Sequence, residues 1–445
     1  MAVKHRRRLF SGRAGRRALV AGAVAAVAAA VVVPVQASAG KAAPGQEASQ
    51  ETGQEARPGT HEVAEARYDL GDQAFTPPAP YEGKAELAAV VHYPKDVAKG
   101  RHPLIVMQHG LWHTCADRAA QTKLEAAQKA LAEAEKTGDE DEVTRLLTLV
   151  EQTSAPLWSW PCRDGARPLP SSSGYDFLAK ALAREGFIVV SMGASGINAT
   201  SAGQAPSVYQ ARAALIDKHL ELWRQLSQAK GPLLGKLKDA RTGQDSRARF
   251  AGHVDLGRVG TLGHSMGGGG VMQHASDARH GAWPQGVKVK AVLGLAPTAT
   301  WDVEPITKIP LAVLWGTCDQ VNTGRYIDWN KGKNKAPLHG VTLTGGNHNS
   351  FNTQWSPASG QVGGKNDAVS GRRPGYCVSQ DGQEQEHSRL DEATQRRITT
   401  AYTTAFFRRY LMGDTSADAL LTGRKHLPYA PGTVNVEHVP PQRRG

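Results

Sequence analysis

Short, continuous apolar runs alternate with amphipathic stretches along most of the chain. Pro103–Gln108, Phe187–Met192, Val287–Leu295 and Leu311–Trp315 are runs with little polar interruption. Buried parallel strands have this composition because both of their faces are covered. Ala85–Tyr93, Arg258–Gly263 and Gly340–Thr344 complete the predicted strands. Between them the apolar positions take helical spacing. Phe177, Leu178, Leu182 and Ala183 share a face within 175–185, a long stretch covers 208–226, and Ile398, Tyr402, Phe406 and Tyr410 recur within 391–411. Strands alternating with helices predict an α/β fold: a mostly parallel sheet with helices on both faces.

One stretch departs from this alternation. Residues 117–153 are charged and alanine-rich, with Leu124, Ala127, Leu131, Leu146, Leu147 and Val150 at helical intervals. Thr137-Gly138-Asp139 breaks the run in the middle. This predicts a helical hairpin inserted between Cys115 and Cys162. Charge runs are usually solvated faces, which makes the hairpin a surface excursion; the sharper alternative is a lid or a partner-binding arm.

The ends of the chain follow other patterns. Arg6, Arg7 and Arg8 precede an apolar segment from Ala18 to Val35, and Ala37-Ser38-Ala39 is a small-x-small cleavage site. Residues 1–39 therefore read as an export signal, and Arg7-Arg8 and Arg16-Arg17 leave both the general secretory and the twin-arginine routes open. No stable membrane span is expected after cleavage. Residues 40–60 lack large apolar side chains and read as a disordered linker. The main domain is expected over 61–430, with 431–445 as a C-terminal tail.

Charge changes the picture little. The chain has 445 residues and a net charge of +12, of which Lys4, Arg6, Arg7, Arg8, Arg13, Arg16 and Arg17 supply seven. The remaining +5 is a mild excess and does not suggest a nucleic-acid partner. Cys115, Cys162, Cys318 and Cys377 are an even number in an exported chain, which suggests two disulfides with three possible pairings. No CxxC spacing occurs, so no zinc site is expected.

The candidate chemistry centres on Gly263-His264-Ser265-Met266-Gly267. A predicted strand enters this pentapeptide, and a helix carrying Val271, Met272 and Ala275 leaves it. A bare GxSxG is common by chance, but strand–turn–helix is the context of a nucleophile elbow, so Ser265 is the candidate nucleophile. A serine hydroxyl needs a base, and the base needs an orienting acid. Asp319 follows the Leu311–Trp315 strand and is the candidate acid, with Asp328 and Asp302 as rivals. His348 follows the Gly340–Thr344 strand in Gly345-Gly346-Asn347-His348-Asn349 and is the candidate base. His387 and His426 lack a preceding strand, and His264 is expected to pack locally. Backbone N–H groups of Met266 and of Leu111, in the loop after Pro103–Gln108, are the candidate oxyanion donors. Trp112, Trp301 and Trp355 are candidate pocket residues, with ordinary packing as the alternative. No metal or organic cofactor is needed for this chemistry.

Gly263–Gly270 is similar to the elbow of actinomycete cutinases and polyester hydrolases. The longer arrangement resembles secreted actinobacterial α/β hydrolases related to the platelet-activating-factor acetylhydrolase and dienelactone hydrolase groups. It rests on His109-Gly110 with Cys115, Trp160-Pro161-Cys162, Gly174-Tyr175-Asp176, Gly196-Ile197-Asn198-Ala199, Asp255–Gly260, Cys318-Asp319, and Asn347-His348-Asn349 with Phe351-Asn352. Together these span about residues 85 to 412. The resemblance implies the α/β-hydrolase fold, the Ser265–Asp319–His348 triad and ester hydrolysis. The substrate would be a small-molecule, lipid or polymer ester, not further fixed. The 117–153 insertion departs from the compact cutinase pattern and from its open access. Acyl transfer or peptidase chemistry on the same triad is one alternative; a non-catalytic homologue binding cell wall or protein is another. The order of the cysteines suggests a Cys115–Cys162 pair stapling the base of the insertion. A Cys318–Cys377 pair would then tie the acid's loop to the base's loop.

Overall fold

The computed structural model describes residues 59–442, apart from 164, 201–206, 300–303, 323–324 and 380–384. The expected export signal and almost all of the expected linker lie outside the described residues. Ten strands form one sheet: β1 (Val63–Asp69), β2 (Ala88–Pro94), β3 (His102–Gln108), β4 (Ile188–Met192), β5 (Lys238–Asp239), β6 (Val254–His264), β7 (Val289–Leu295), β8 (Leu311–Gly316), β9 (Leu338–Leu343) and β10 (Val434–Val439). Their order is β10-β9-β8-β7-β6-β3-β4-β2-β1-β5. The six strands from β9 to β4 run parallel. Pairing at both edges is antiparallel.

Alternation along the strands explains the layering. On β3, Leu104 and Val106 enter one apolar cluster and Ile105 and Met107 the other. The first cluster is covered by α5 (Ser207–Ser227), through Val208 and Leu215, and by α6 (Met266–Ala275), through Val271. The second is covered by α3 (Asp176–Arg184), through Leu178 and Leu182, and by α7 (Glu392–Phe407), through Ile398, Tyr402 and Phe406. A short helix, α4 (Ser195–Thr200), follows β4. This is an α/β fold with helices on both faces of a mostly parallel sheet, as the apolar runs predict.

The insertion forms two helices, α1 (Arg118–Thr137) and α2 (Glu140–Ser154). Residues 119–155 belong to a compact unit distinct from the one that carries the sheet. Gly138 takes a φ of +74° at the break, where a side chain would be strained. Asp139 then caps α2 by accepting a hydrogen bond from the Glu142 N–H at 3.0 Å. Acids at 140, 141 and 142 suit the positive end of the helix dipole. Cys115 is bonded to Cys162 at the two ends of this insertion, and Cys318 to Cys377.

One boundary is corrected. Residues 434–439 are not tail but an edge strand, paired antiparallel with β9. Val434-Asn435-Val436-Glu437 has the two-residue alternation of a strand with one apolar face. Pro431-Gly432 and Pro440-Pro441 flank it and bound the strand on both sides.

Among the described residues no helix is long and apolar enough to cross a membrane.

Candidate functional site

The candidate residues all follow the C-terminal ends of parallel strands: Leu111 after β3, Ser265 after β6, Asp319 after β8 and His348 after β9. The connection from β3 leads to β4 on one side, while β7, β8 and β9 continue from β6 on the other. The sheet order therefore reverses between β3 and β6, the place where open α/β sheets form crevices.

Ser265 is the turn between β6 and α6. Its backbone sits at φ 57°, ψ −127°. Such a conformation costs a non-glycine residue about 1–3 kcal/mol and persists only where the surroundings impose it. Here the Ser265 N–H donates to Leu295 O at 3.0 Å, and the Thr298 N–H donates to Ser265 O at 2.9 Å. Close approach also governs the flanking glycines. A Cβ on Gly267 would collide with the carbonyl oxygens of Gln108 and His109, and one on Gly110 would lie 2.5 Å from the Ser265 Cβ. The loop after β3 thus packs directly on the serine, and only glycine fits at either contact.

Asp319 and His348 meet. His348 Nδ1 is 2.8 Å from Asp319 Oδ2, and both side chains are buried. Oδ1 of Asp319 accepts from the N–H groups of Val321 (2.7 Å) and Asn322 (2.8 Å). With Nδ1–H donating to Asp319, Nε2 of His348 is the basic nitrogen. His264, the residue before Ser265, has its ring 4.6 Å from the His348 ring, centroid to centroid. Burial works against a charged His348. The Asp319 carboxylate, its hydrogen bond and the nearby Asp367 outweigh that, so its pKa is raised above the ordinary 6.5. The rival Asp328 is exposed on the helix Tyr326–Asn330, and Asp302 lies outside the described residues.

The loop after β3 is held by His109 and Asn198, both within runs that carry the resemblance, and by Arg212, which no motif marks. His109 Nδ1 is 2.9 Å from Gly110 O, and the Ala194 N–H donates to His109 Nε2 at 2.9 Å. This fixes a neutral imidazole, whose pKa burial and the Arg212 charge push down to about 3. Asn198 donates to Gly110 O at 2.9 Å, and Arg212 donates to His109 O at 3.0 Å and to Asn198 Oδ1. Arg212 is fully buried, and burial lowers its pKa to about 10, so it stays cationic at neutral pH. Its charge lies just behind the loop that carries Leu111. The N–H groups of Leu111 and Met266 make no hydrogen bond among the described residues. Met266 is also the first residue of α6, where the helix dipole is positive.

His264 packs locally, as expected, and in a specific way. It is fully buried, bonded through Nδ1 to Tyr175 OH at 2.9 Å, with Trp355 at 4.8 Å between centroids. Burial, then the neighbouring His348, holds its pKa well below 6.5. Trp355 in turn stacks on Trp112 at 4.9 Å and donates to Ser171 Oγ at 3.1 Å. Trp355 is fully buried while Trp112 is partly exposed. Two of the three pocket candidates, Trp112 and Trp355, therefore form one stack leading through His264 towards His348, and of these two only Trp112 offers surface. Trp301 lies outside the described residues.

Asp367 is the residue that sequence reasoning missed. Its Oδ2 accepts from the His348 N–H at 3.0 Å and lies 3.4 Å from the Gln320 nitrogen, while Oδ1 accepts from the Asn349 N–H at 2.8 Å. One carboxylate thus spans the loop that carries Asp319 and the loop that carries His348. Burial and the neighbouring Asp319 raise its pKa. In Gly363-Gly364-Lys365-Asn366-Asp367 it resembles any turn aspartate; the only pointer is its place before Cys377, which is tied to Cys318. Asp367→Asn is expected to lower kcat/KM for an ester by about ten-fold, as loss of one charge-assisted hydrogen bond would. It also removes a negative charge that raises the His348 pKa. The acid limb of the pH–rate profile should move to lower pH, which loop disorder alone would not cause. An unmoved limb in that profile would leave Asp367 a purely structural residue.

Comparison of the chain with protein-family models and with curated proteins finds no match.

Proposed function

We propose that the protein is an exported serine hydrolase of carboxylic esters, an α/β hydrolase working through Ser265, His348 and Asp319. The observation that carries this reading is the buried Asp319–His348 hydrogen bond, together with a serine held at positive φ at the C-terminal end of a parallel strand in the same sheet. In the proposed reaction Ser265 Oγ attacks the ester carbonyl while His348 Nε2 takes its proton. Asp319 holds the imidazole tautomer and balances the charge that develops on it. The Leu111 and Met266 N–H groups donate to the oxyanion, each worth about 3 kcal/mol in the transition state. The tetrahedral intermediate expels the alkoxide, which leaves as the alcohol with the proton from His348. Water then attacks the acyl-enzyme as His348 takes its proton, and the acid is released as Ser265 recovers its own.

Export is supported by the sequence of the first 39 residues and by two disulfides, which persist in oxidising compartments. Trp112, the partly exposed ring next to Leu111, is the group best placed to meet an acyl or aromatic portion of the substrate.

A fluorophosphonate probe tests the reading directly. It is expected to label the chain once, and peptide mass spectrometry should place the label on Ser265. A chain that stays unlabelled under conditions that label a known serine esterase would favour a non-catalytic binding protein.

A further inference from the structure

Strands β1 and β2 pair so that Glu65 stands directly opposite His92. His92 in turn pairs with Val189, near the start of β4. It therefore lies toward the N-terminal ends of the parallel strands, away from the ends that carry Ser265 and His348. His92 is fully buried, yet neither ring nitrogen has a hydrogen bond among the described residues. Its Nε2 faces two carboxylates, 3.4 Å from Glu65 Oε2 and 4.0 Å from Oδ1 of Asp176, the first residue of α3. That Asp176 oxygen also has no hydrogen bond. Arg67 occupies the other Glu65 oxygen, donating to Oε1 at 2.9 Å, and so leaves Oε2 directed at His92. Buried polar groups without partners are costly and call for an explanation.

The three ligand atoms lie within 4.8 Å of one another. Ligands on a tetrahedral ion with bonds of about 2.1 Å stand about 3.4 Å apart, which is the Glu65–His92 separation as it is. A modest rotation of Asp176 completes the set. One imidazole and two carboxylates suit a transition ion of the zinc type better than calcium or magnesium, which take oxygen ligands. A cleft of about 720 Å³, lined in part by His61, Glu65, His92, Lys180 and Arg184, gives an ion a path from solvent. We propose that Glu65, His92 and Asp176 form a binding site for a divalent transition ion of the zinc class, with water in the position facing the cleft. The ion would staple β1 and β2 to α3 and take no part in chemistry at Ser265. A zinc-class site here departs from the expectation of no zinc site, which rested on the absence of CxxC spacing and so bears only on cysteine ligands. These three residues are far apart in sequence, and only the strand register and the start of α3 bring them together. Lys180, four residues after Asp176 and lining the same cleft, opposes cation binding by its charge.

The test is calorimetric titration of zinc chloride into the untagged, chelator-treated chain with both disulfides intact, with melting followed in parallel. Expected are one saturable zinc event that Glu65→Gln and His92→Gln each weaken at least ten-fold, a tighter event in Lys180→Gln, and a zinc-dependent rise in Tm lost in Glu65→Gln. Glu65 is partly exposed, so its glutamine variant should fold even where the His92 variant does not, and its ester hydrolysis should match the parent. Absence of saturable zinc binding, or zinc affinity unchanged in Glu65→Gln and in Asp176→Asn, overturns the site. Neither result depends on whether Ser265 is labelled by a fluorophosphonate.

Discussion

Ser265→Ala is expected to cut hydrolysis of p-nitrophenyl butyrate by roughly 10⁴-fold or more, with the melting curve essentially unchanged. The size follows from chemistry: without Oγ no acyl-enzyme forms, and only the oxyanion donors and substrate binding remain to assist water. The small effect on stability follows from structure. Ser265 is held by its backbone N–H and C=O, through Leu295 and Thr298, and alanine keeps both bonds. Alanine is no worse than serine at φ 57°, so the strain already present at the turn is unaltered. Steady-state rates beside a thermal melt check both halves. A folded Ser265→Ala chain that still hydrolyses the ester at near parental rate would overturn the role given to this serine.

The strength of that expectation reflects how the fold announces itself. Strands buried on both faces must be apolar throughout, so β3, β4, β7 and β8 stand out as runs, and α3 and α7 show the spacing of one-sided burial. Ser265 is legible because the elbow needs small residues at defined offsets, and Gly267 shows why: Gln108 O and His109 O leave no room for a Cβ. Asp319 and His348 are legible because each follows a strand end, and strand ends in a parallel sheet converge. What escaped notice is what acts through tertiary contact alone. Asp367 and Arg212 belong to no motif, and Asn198 enters only through the resemblance; Asn198 and Arg212 matter through their bonds to the loop after β3, and Asp367 through its bonds to the loop after β9. The edge strand at 434–439 escaped for a different reason, since one paired neighbour demands only half the apolar pattern that a central strand shows.

Asp319→Asn is expected to lower kcat by roughly 10⁴-fold with little change in folding. The direction of the amide is set by the loop. Oδ1 of Asp319 accepts from two backbone N–H groups, those of Val321 and Asn322, and an asparagine keeps both only by placing its oxygen there. Its NH₂ then faces His348 in place of Oδ2 and donates to Nδ1. The imidazole proton moves to Nε2, the nitrogen that must accept from Ser265, and the base is lost although every heavy atom stays in place. Asp367→Asn has no such consequence, since its carboxylate bonds to the backbone N–H of His348 and not to the ring. The two variants therefore separate by tautomer. Imidazole nitrogen shifts in ¹⁵N-labelled protein should show the His348 proton on Nε2 in Asp319→Asn and on Nδ1 in both the parent and Asp367→Asn. A proton that remains on Nδ1 in Asp319→Asn, together with near-parental kcat, would mean that Asp319 does not orient the base.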